Sequence, residues 1–236
     1  GDAALRADDL PVLRGLDLFS GMADENFTDL VKGAFLQHFP THVELIHEGD
    51  PADFLYVVIE GRVELYAEAN GRETTVELIS PVSTFILAAV LRDSVYLASA
   101  RTMEKSRLLM IPAKNILEAM ERDDAFGRAV VSALAVDYRT MLKALKDQKL
   151  RTAVERLANY LLRLEQVQGA NGKVTLDIDK RLLASRLGMT PENISRAFST
   201  LGAYGVVVKG PHITLQNRSD LEILAKPTPL IDDETT

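Results

Sequence analysis

Three side chains near residue 195 are of the types that read nucleic-acid base edges. Glu192, Ser195 and Arg196 stand in the run TPENISRAFSTL, and their i, i+3, i+4 spacing puts them on one face of a helix. An arginine meets guanine O6 and N7 with two hydrogen bonds, a carboxylate accepts from cytosine N4, and a serine hydroxyl contacts several edges. A plainer use competes with this. Glu192 and Arg196 could form an i,i+4 surface pair, worth only about 0.2–0.5 kcal/mol. The choice depends on whether the elements around them present that face to a groove.

Those elements are legible. Asp179–Leu187 can form a short helix with Leu182, Leu183 and Leu187 inward and small Ala184 where a second helix approaches closely. Gly188 ends it, since glycine adopts the left-handed conformation at least cost. Thr190 can cap the next helix with Pro191 at its first position, and Ile194, Phe198 and Leu201 form a buried stripe. Two helices crossing through so tight a turn make a helix-turn-helix. Its second helix meets a major groove near its N-terminus, where Thr190, Pro191, Glu192, Ser195, Arg196 and Ser199 lie. Val206–Lys209 and His212–Leu215, around Gly210-Pro211, read as a β-hairpin wing whose Lys209 and His212 can touch backbone phosphate.

Charge agrees once it is resolved along the chain. The net charge of −7 argues against a polyanionic partner, but residues 173–218 hold seven basic and three acidic side chains, a local +4 that leaves −11 elsewhere. A basic module on an acidic carrier suits double-stranded DNA, because binding strength comes largely from local counterion release. The 236 residues suit two domains. With no cysteine, disulfides, thiolate catalysis and cysteine-ligated zinc or iron–sulfur clusters are excluded. No apolar run approaches the roughly 20 residues of a membrane span. The opening GDAALRADDLPVL has neither the basic segment nor the apolar core of a signal peptide, and Gly1 reads as a cloning remnant. A cytoplasmic protein without membrane contact is expected.

The rest of the chain must position this module. The first 35 residues read as leading helices. From about residue 40 to 112 short strands follow, over His42–His47, Phe54–Ile59, Arg62–Ala67 and Thr74–Ile79, with Asn70-Gly71 as a two-residue hairpin signal. Strands at this spacing imply a β-sandwich or jelly roll. Helix returns over Pro112–Met120 and then Asp124–Lys149, where Val131, Leu134, Tyr138, Met141 and Leu145 repeat at three, four, three and four. That seam either packs on its own domain or pairs with a second copy of the chain. Thr152-Ala-Val-Glu155 fits a capping box, so a new helix, Ala153–Gln166, starts at a sharp hinge, followed by a short strand over Val174–Ile178. The expected fold is α+β: a sensor domain over 1–123, a dimerisation helix over 124–150, a winged helix-turn-helix over 151–220 and a tail over 221–236.

At this point a resemblance becomes specific. LGMTPENISRAFSTLGAYGVVVKGPHITLQN resembles the C-terminal domain of the Crp/Fnr family, and its E-x-x-S-R set resembles the fumarate/nitrate-reduction branch. HEGDPADFLYVVIEGRVELYAEANGRETTVEL resembles the family's cyclic-nucleotide-binding-type β-roll. The resemblance covers roughly residues 15–218. It implies a homodimer on palindromic DNA with TTGAT-like half-sites, an effector held by the β-roll, and recruitment or blocking of RNA polymerase, for an activator in particular.

Departures from the family pattern bear on the effector. Cyclic-nucleotide binders of the family hold ribose and phosphate with Gly-Glu and Arg-Ser pairs. Here Leu87 and Ala88 stand where Gly-Glu is expected, no Arg-Ser pair follows, and Met141 and Leu142 replace a hydroxyl pair on the long helix. A buried phosphodiester would lack compensating charge, which argues against cyclic AMP. An apolar effector pocket lined by Phe85, Leu87, Ala88, Leu97, Met141 and Leu142 is the expectation. Haem, which some family members bind, stays a candidate through His38, His42 or His47, beside a small organic effector and an empty core. A cyclic-nucleotide-type ligand sensor acting through a protein partner, with a degenerate DNA-binding domain, is the alternative reading. Nothing marks an enzyme: there is no phosphate loop, no nucleophile with a base, and no metal-ligand spacing.

Overall fold

The computed structural model describes residues 3–236; Gly1, the expected cloning remnant, and Asp2 lie outside the described residues. Contacts divide the chain into two units, Gly1–Val136 and Asp137–Thr236.

In the first unit, β1 (Ala3–Ala4) leads through α1 (Asp9–Arg14), α2 (Asp17–Ser20) and α3 (Asp24–Leu30) into the strands. These are β2 (Phe35–Phe39), β3 (Glu44–Ile46), β4 (Phe54–Glu60), β5 (Val63–Ala69), β6 (Arg72–Ile79) and β7 (Ser83–Phe85). After α4 (Leu87–Arg92) come β8 (Ser99–Thr102), β9 (Ser106–Pro112), α5 (Ala113–Arg122) and the long α6 (Asp124–Leu150). Two antiparallel sheets result, ordered β1-β2-β9-β4-β7 and β3-β8-β5-β6. Leu55, Val57, Val63, Leu65 and Ala100 are buried between and around them. Asn70 and Gly71 have φ of 55° and 74° and join Ala69 to its partner Arg72, a tight hairpin whose sense of twist matches the strands. Phe19 stacks on Phe126 with centroids 6.2 Å apart, docking the leading helices on the start of α6. Buried Asp123 fixes that start: one carboxylate oxygen accepts from Phe126 N at 2.8 Å, the other from Ala23 N at 3.0 Å and Asn26 Nδ2 at 2.9 Å.

The second unit takes in the latter half of α6. It continues with α7 (Ala153–Val167), β10 (Lys173–Thr175), α8 (Lys180–Arg186), α9 (Pro191–Gly202), β11 (Val206–Lys209), β12 (His212–Leu215), α10 (Arg218–Ala225) and α11 (Pro229–Asp232). The capping box at the start of α7 is formed: Thr152 Oγ1 accepts from Glu155 N at 3.2 Å, and Glu155 Oε1 accepts from Thr152 N at 2.9 Å. The wing sheet runs β10-β12-β11.

Four expectations are corrected. The strand expected over His42–His47 shortens to β3, because His42 takes a left-handed turn at φ 62°. The strand expected over Val174–Ile178 is β10, and Leu176 N instead donates to Pro211 O at 2.8 Å. The unit boundary falls inside α6, between Val136 and Asp137, rather than at the helix ends. The tail expected over 221–236 is folded. Leu221 and Ala225 are buried, and buried Asn159 of α7 donates to Ala225 O at 2.8 Å.

Candidate nucleic-acid interface

The helix pair α8–α9 is built from caps inward. Asp179 Oδ1 accepts from Leu182 N at 2.8 Å to begin α8, and Thr190 Oγ1 accepts from Asn193 N at 3.1 Å to begin α9, with Pro191 in its first turn. Each cap satisfies a helix donor that has no partner within the helix. Between them Gly188 stands at φ +69°, and Met189 N closes the turn on Ala184 O at 2.8 Å. Gly188 also meets a packing limit: a Cβ there would lie 2.5 Å from Gln148 Oε1. Leu183, Ala184, Leu187, Ile194, Ala197, Phe198 and Leu201 are buried where the helices cross.

That burial turns the other side of α9 outward. Pro191, Glu192, Ser195, Arg196 and Ser199 are exposed, as is the capping Thr190. Among the described residues no ion pair joins Glu192 to Arg196, so the surface-pair use does not occupy these side chains. Ser195 Oγ donates to Pro191 O at 3.1 Å. Its proton is thereby engaged, and the hydroxyl offers lone pairs to a base donor. Asn193 and Thr200, which the spacing did not single out, share the exposed side, and Thr200 donates to Arg196 O at 3.0 Å. Asn193 escaped notice because only its backbone serves the cap. Arg181 and Arg186 are exposed on α8, and the Arg186 guanidinium lies 5.5 Å from the Tyr160 ring centroid.

The wing brings its two basic side chains together. Lys209 and His212 are register partners on β11 and β12, flanking the two-residue tip at Gly210-Pro211, and both are exposed. A single loop thus offers two donors to phosphate.

The sensor residues are not gathered in this way. Phe85 is buried and stacked on Tyr56 at 5.2 Å between centroids, and Leu87 is buried in the same core. Ala88 is exposed, Leu97 is 86% exposed, and Met141 and Leu142 belong to the second unit. The six form no single lining within either unit. One feature escaped the sequence: Ile86, which caps α4, stands at φ 70°, ψ 19°. A β-branched residue pays for this conformation in strain. Ile86 therefore occupies the position a glycine fills most easily, one residue before Leu87. His38, His42 and His47 are all exposed, and His47 Nδ1 is paired with Glu44 Oε1 at 2.8 Å, which raises its pKa. Among the described residues no group of three His, Asp or Glu side chains could hold a metal ion. No described helix is long and apolar enough to cross a membrane.

A two-sheet β-roll, a long helix and a winged helix-turn-helix follow one another along the chain. Comparison with known proteins agrees: the description Cyclic nucleotide-binding domain matches residues 36–123, and Crp-like helix-turn-helix domain matches residues 155–224. The Cyclic AMP receptor protein of Thermus thermophilus is 29% identical over 201 residues, 84% of this chain and 91% of its own. The CRP-like cAMP-activated global transcriptional regulator of Mycobacterium tuberculosis is 24% identical over 221 residues, 91% of this chain and 97% of its own. The structure of FixK2 from Bradyrhizobium japonicum shares the fold, with a TM-score of 0.69 at 24% identity over 83% of this chain and 98% of that one. The two matched domains, one of the cyclic nucleotide-binding type and one a Crp-like helix-turn-helix, support the Crp/Fnr family of transcription regulators.

Proposed function

We propose that this protein works as a homodimer that reads palindromic DNA with TTGAT-like half-sites through Glu192, Ser195 and Arg196, positioned by phosphate contacts from Lys209 and His212. The observation that carries the reading is α9 itself. Its inner stripe is buried, while Glu192 and Arg196 stand exposed and unpaired with one another, as a base-reading pair requires. The dimer is supported by α6, where Val131, Tyr138, Met141 and Leu145 are 65%, 70%, 51% and 55% exposed along one seam.

The effector of the first unit is a molecule other than cyclic AMP. Between Ser83 and Arg92 the only charged residue is Arg92, and the carboxylate and Arg-Ser pair that hold a cyclic nucleotide in this family have no counterpart there. Occupancy by this effector shifts the dimer between two states of different DNA affinity, and the bound dimer recruits or blocks RNA polymerase.

The test is fluorescence anisotropy with a palindrome of two TTGAT half-sites against a scrambled duplex, across salt. The reading requires a steep salt dependence on both duplexes and tighter binding to the palindrome. Equal affinity for the two duplexes would remove it.

A further inference from the structure

The turn between α8 and α9 is bolted to the joint between α6 and α7. At the turn, one backbone carbonyl, that of Leu187, accepts two side-chain donors. Gln148 Nε2 of α6 reaches it at 3.1 Å, and Arg156 Nε of α7 reaches it at 2.9 Å. These donors come from opposite sides of the joint, since α6 ends at Leu150 and α7 begins at Ala153. Arg156 also donates Nη1 to Arg151 O within the joint, at 2.9 Å. Gly188 follows Leu187 directly, and its missing Cβ is what lets the Gln148 amide approach.

The joint is gripped from its other side by the C-terminal helix. Arg151 binds Asp232 with two hydrogen bonds, at 2.7 Å and 2.6 Å, and Asp147 with a third at 2.8 Å. Arg163 Nη1 of α7 reaches the same Asp232 at 2.6 Å. Lys143 and Lys146 of α6 donate to the carbonyls of Asp233 and Leu230, at 2.7 Å and 3.0 Å. A bare hinge at Thr152 would leave the angle between α6 and the reading helix free. Here that angle is held by neutral and charge-assisted hydrogen bonds made by side chains from both helices.

We propose that Gln148 and Arg156 are positioning residues for DNA reading, fixing α9 through the Leu187 carbonyl, and that Asp232 holds the joint they flank. The assignment rests on the reading of α9 as the DNA-reading helix. In this arrangement the latter half of α6 carries the helix-turn-helix as one body, so a rotation of that half-helix is delivered to α9 undiminished.

Gln148→Glu tests it on the full chain, because the carboxylate keeps the size of the amide and cannot donate. Amide exchange over residues 187–190 should quicken while the helix content stays native. Preference for the palindrome over a scrambled duplex should fall about tenfold, the order expected for one lost hydrogen bond at a rigid contact. Asp232→Asn should quicken exchange at 148–156, and Asp232→Glu should restore it. Unchanged exchange at 187–190 in Gln148→Glu, or an equal loss of affinity for both duplexes, overturns the proposal. Failure of the wild-type protein to distinguish the duplexes removes the DNA-reading assignment instead, and the exchange at 187–190 still decides whether the bolt exists.

Discussion

Arg151 and Asp232, eighty-one positions apart, meet as a two-pronged ion pair with side chains 5% and 12% exposed. Removing Asp232 leaves Arg151 with only Asp147 to offset its buried charge, so Asp232→Ala should cost the second unit about 1–3 kcal/mol, read by urea unfolding. The same pair sets an acid limit. Burial alone would raise the Asp232 carboxyl, but hydrogen bonds from Arg151 and from the Thr228 amide outweigh it and hold the pKa below the ordinary aspartate value. Glu155 is held low in the same direction, first by the Thr152 backbone amide. A carboxylate depressed by folding contributes its full stability above its unfolded pKa and loses it as pH falls through the folded one. The second unit should therefore keep its stability down to about pH 4 and lose it below that. A stability profile flat from pH 6 to pH 2.5 would exclude the effect.

Arg196→Ala should cost about 1–3 kcal/mol on the cognate duplex and relax the preference at one base pair. Arg196 is exposed and, among the described residues, has no ion-pair partner in Glu192, so truncating its side chain breaks no ion pair between them. Binding selection with randomised half-sites would display the relaxed position. An unchanged selected sequence would mean that Arg196 is no reader.

Lys209→Ala should behave differently, although the residue is equally exposed. It faces His212 across the wing tip, and its proposed partner is backbone phosphate. Affinity should fall alike for cognate and scrambled duplexes, and the slope of log affinity against log salt should drop by about 1 per phosphate contact. Anisotropy titrations over salt separate this from Arg196, whose effect depends on sequence.

How far the sequence predicted these features depended on how local their causes are. The Thr152–Glu155 box, the Thr190 cap with Pro191, and the Asn70-Gly71 turn are all made by residues within four positions of one another, and all were legible. The C-terminal helices were not, because α10 spans eight residues and α11 four, too few for an apolar period. What folds them is contact with Asn159, Arg151 and Arg163, all more than sixty residues away. Within the first unit, Phe85 and Leu87 lie in the core while Ala88 and Leu97 are exposed, for a related reason. Alternation along a chain cannot say that Leu87 is core and Leu97 surface when a helix and a loop intervene. Ile86 is a third case, since its left-handed backbone opposes the preference of its own side chain.

The apolar seam of α6 leads to a prediction about assembly. Val131, Tyr138, Met141 and Leu145 are more than half exposed and repeat with the period of a two-stranded coiled coil, and Leu134, also in the seam, is partly buried. A soluble helix gains nothing by leaving such a stripe in water, whereas a second copy would cover it on both sides at once. Burying one leucine side chain is worth about 1.5–3 kcal/mol, and a symmetric dimer counts it twice. Leu145→Ala should therefore weaken dimerisation by about 3 kcal/mol or more, and Tyr138→Glu should give monomers at micromolar concentration. Sedimentation equilibrium reads both, and DNA affinity on the palindrome should fall with the dimer fraction. If Tyr138→Glu sedimented as the wild-type dimer, the seam would not be the interface, and the palindromic reading would need another symmetry contact.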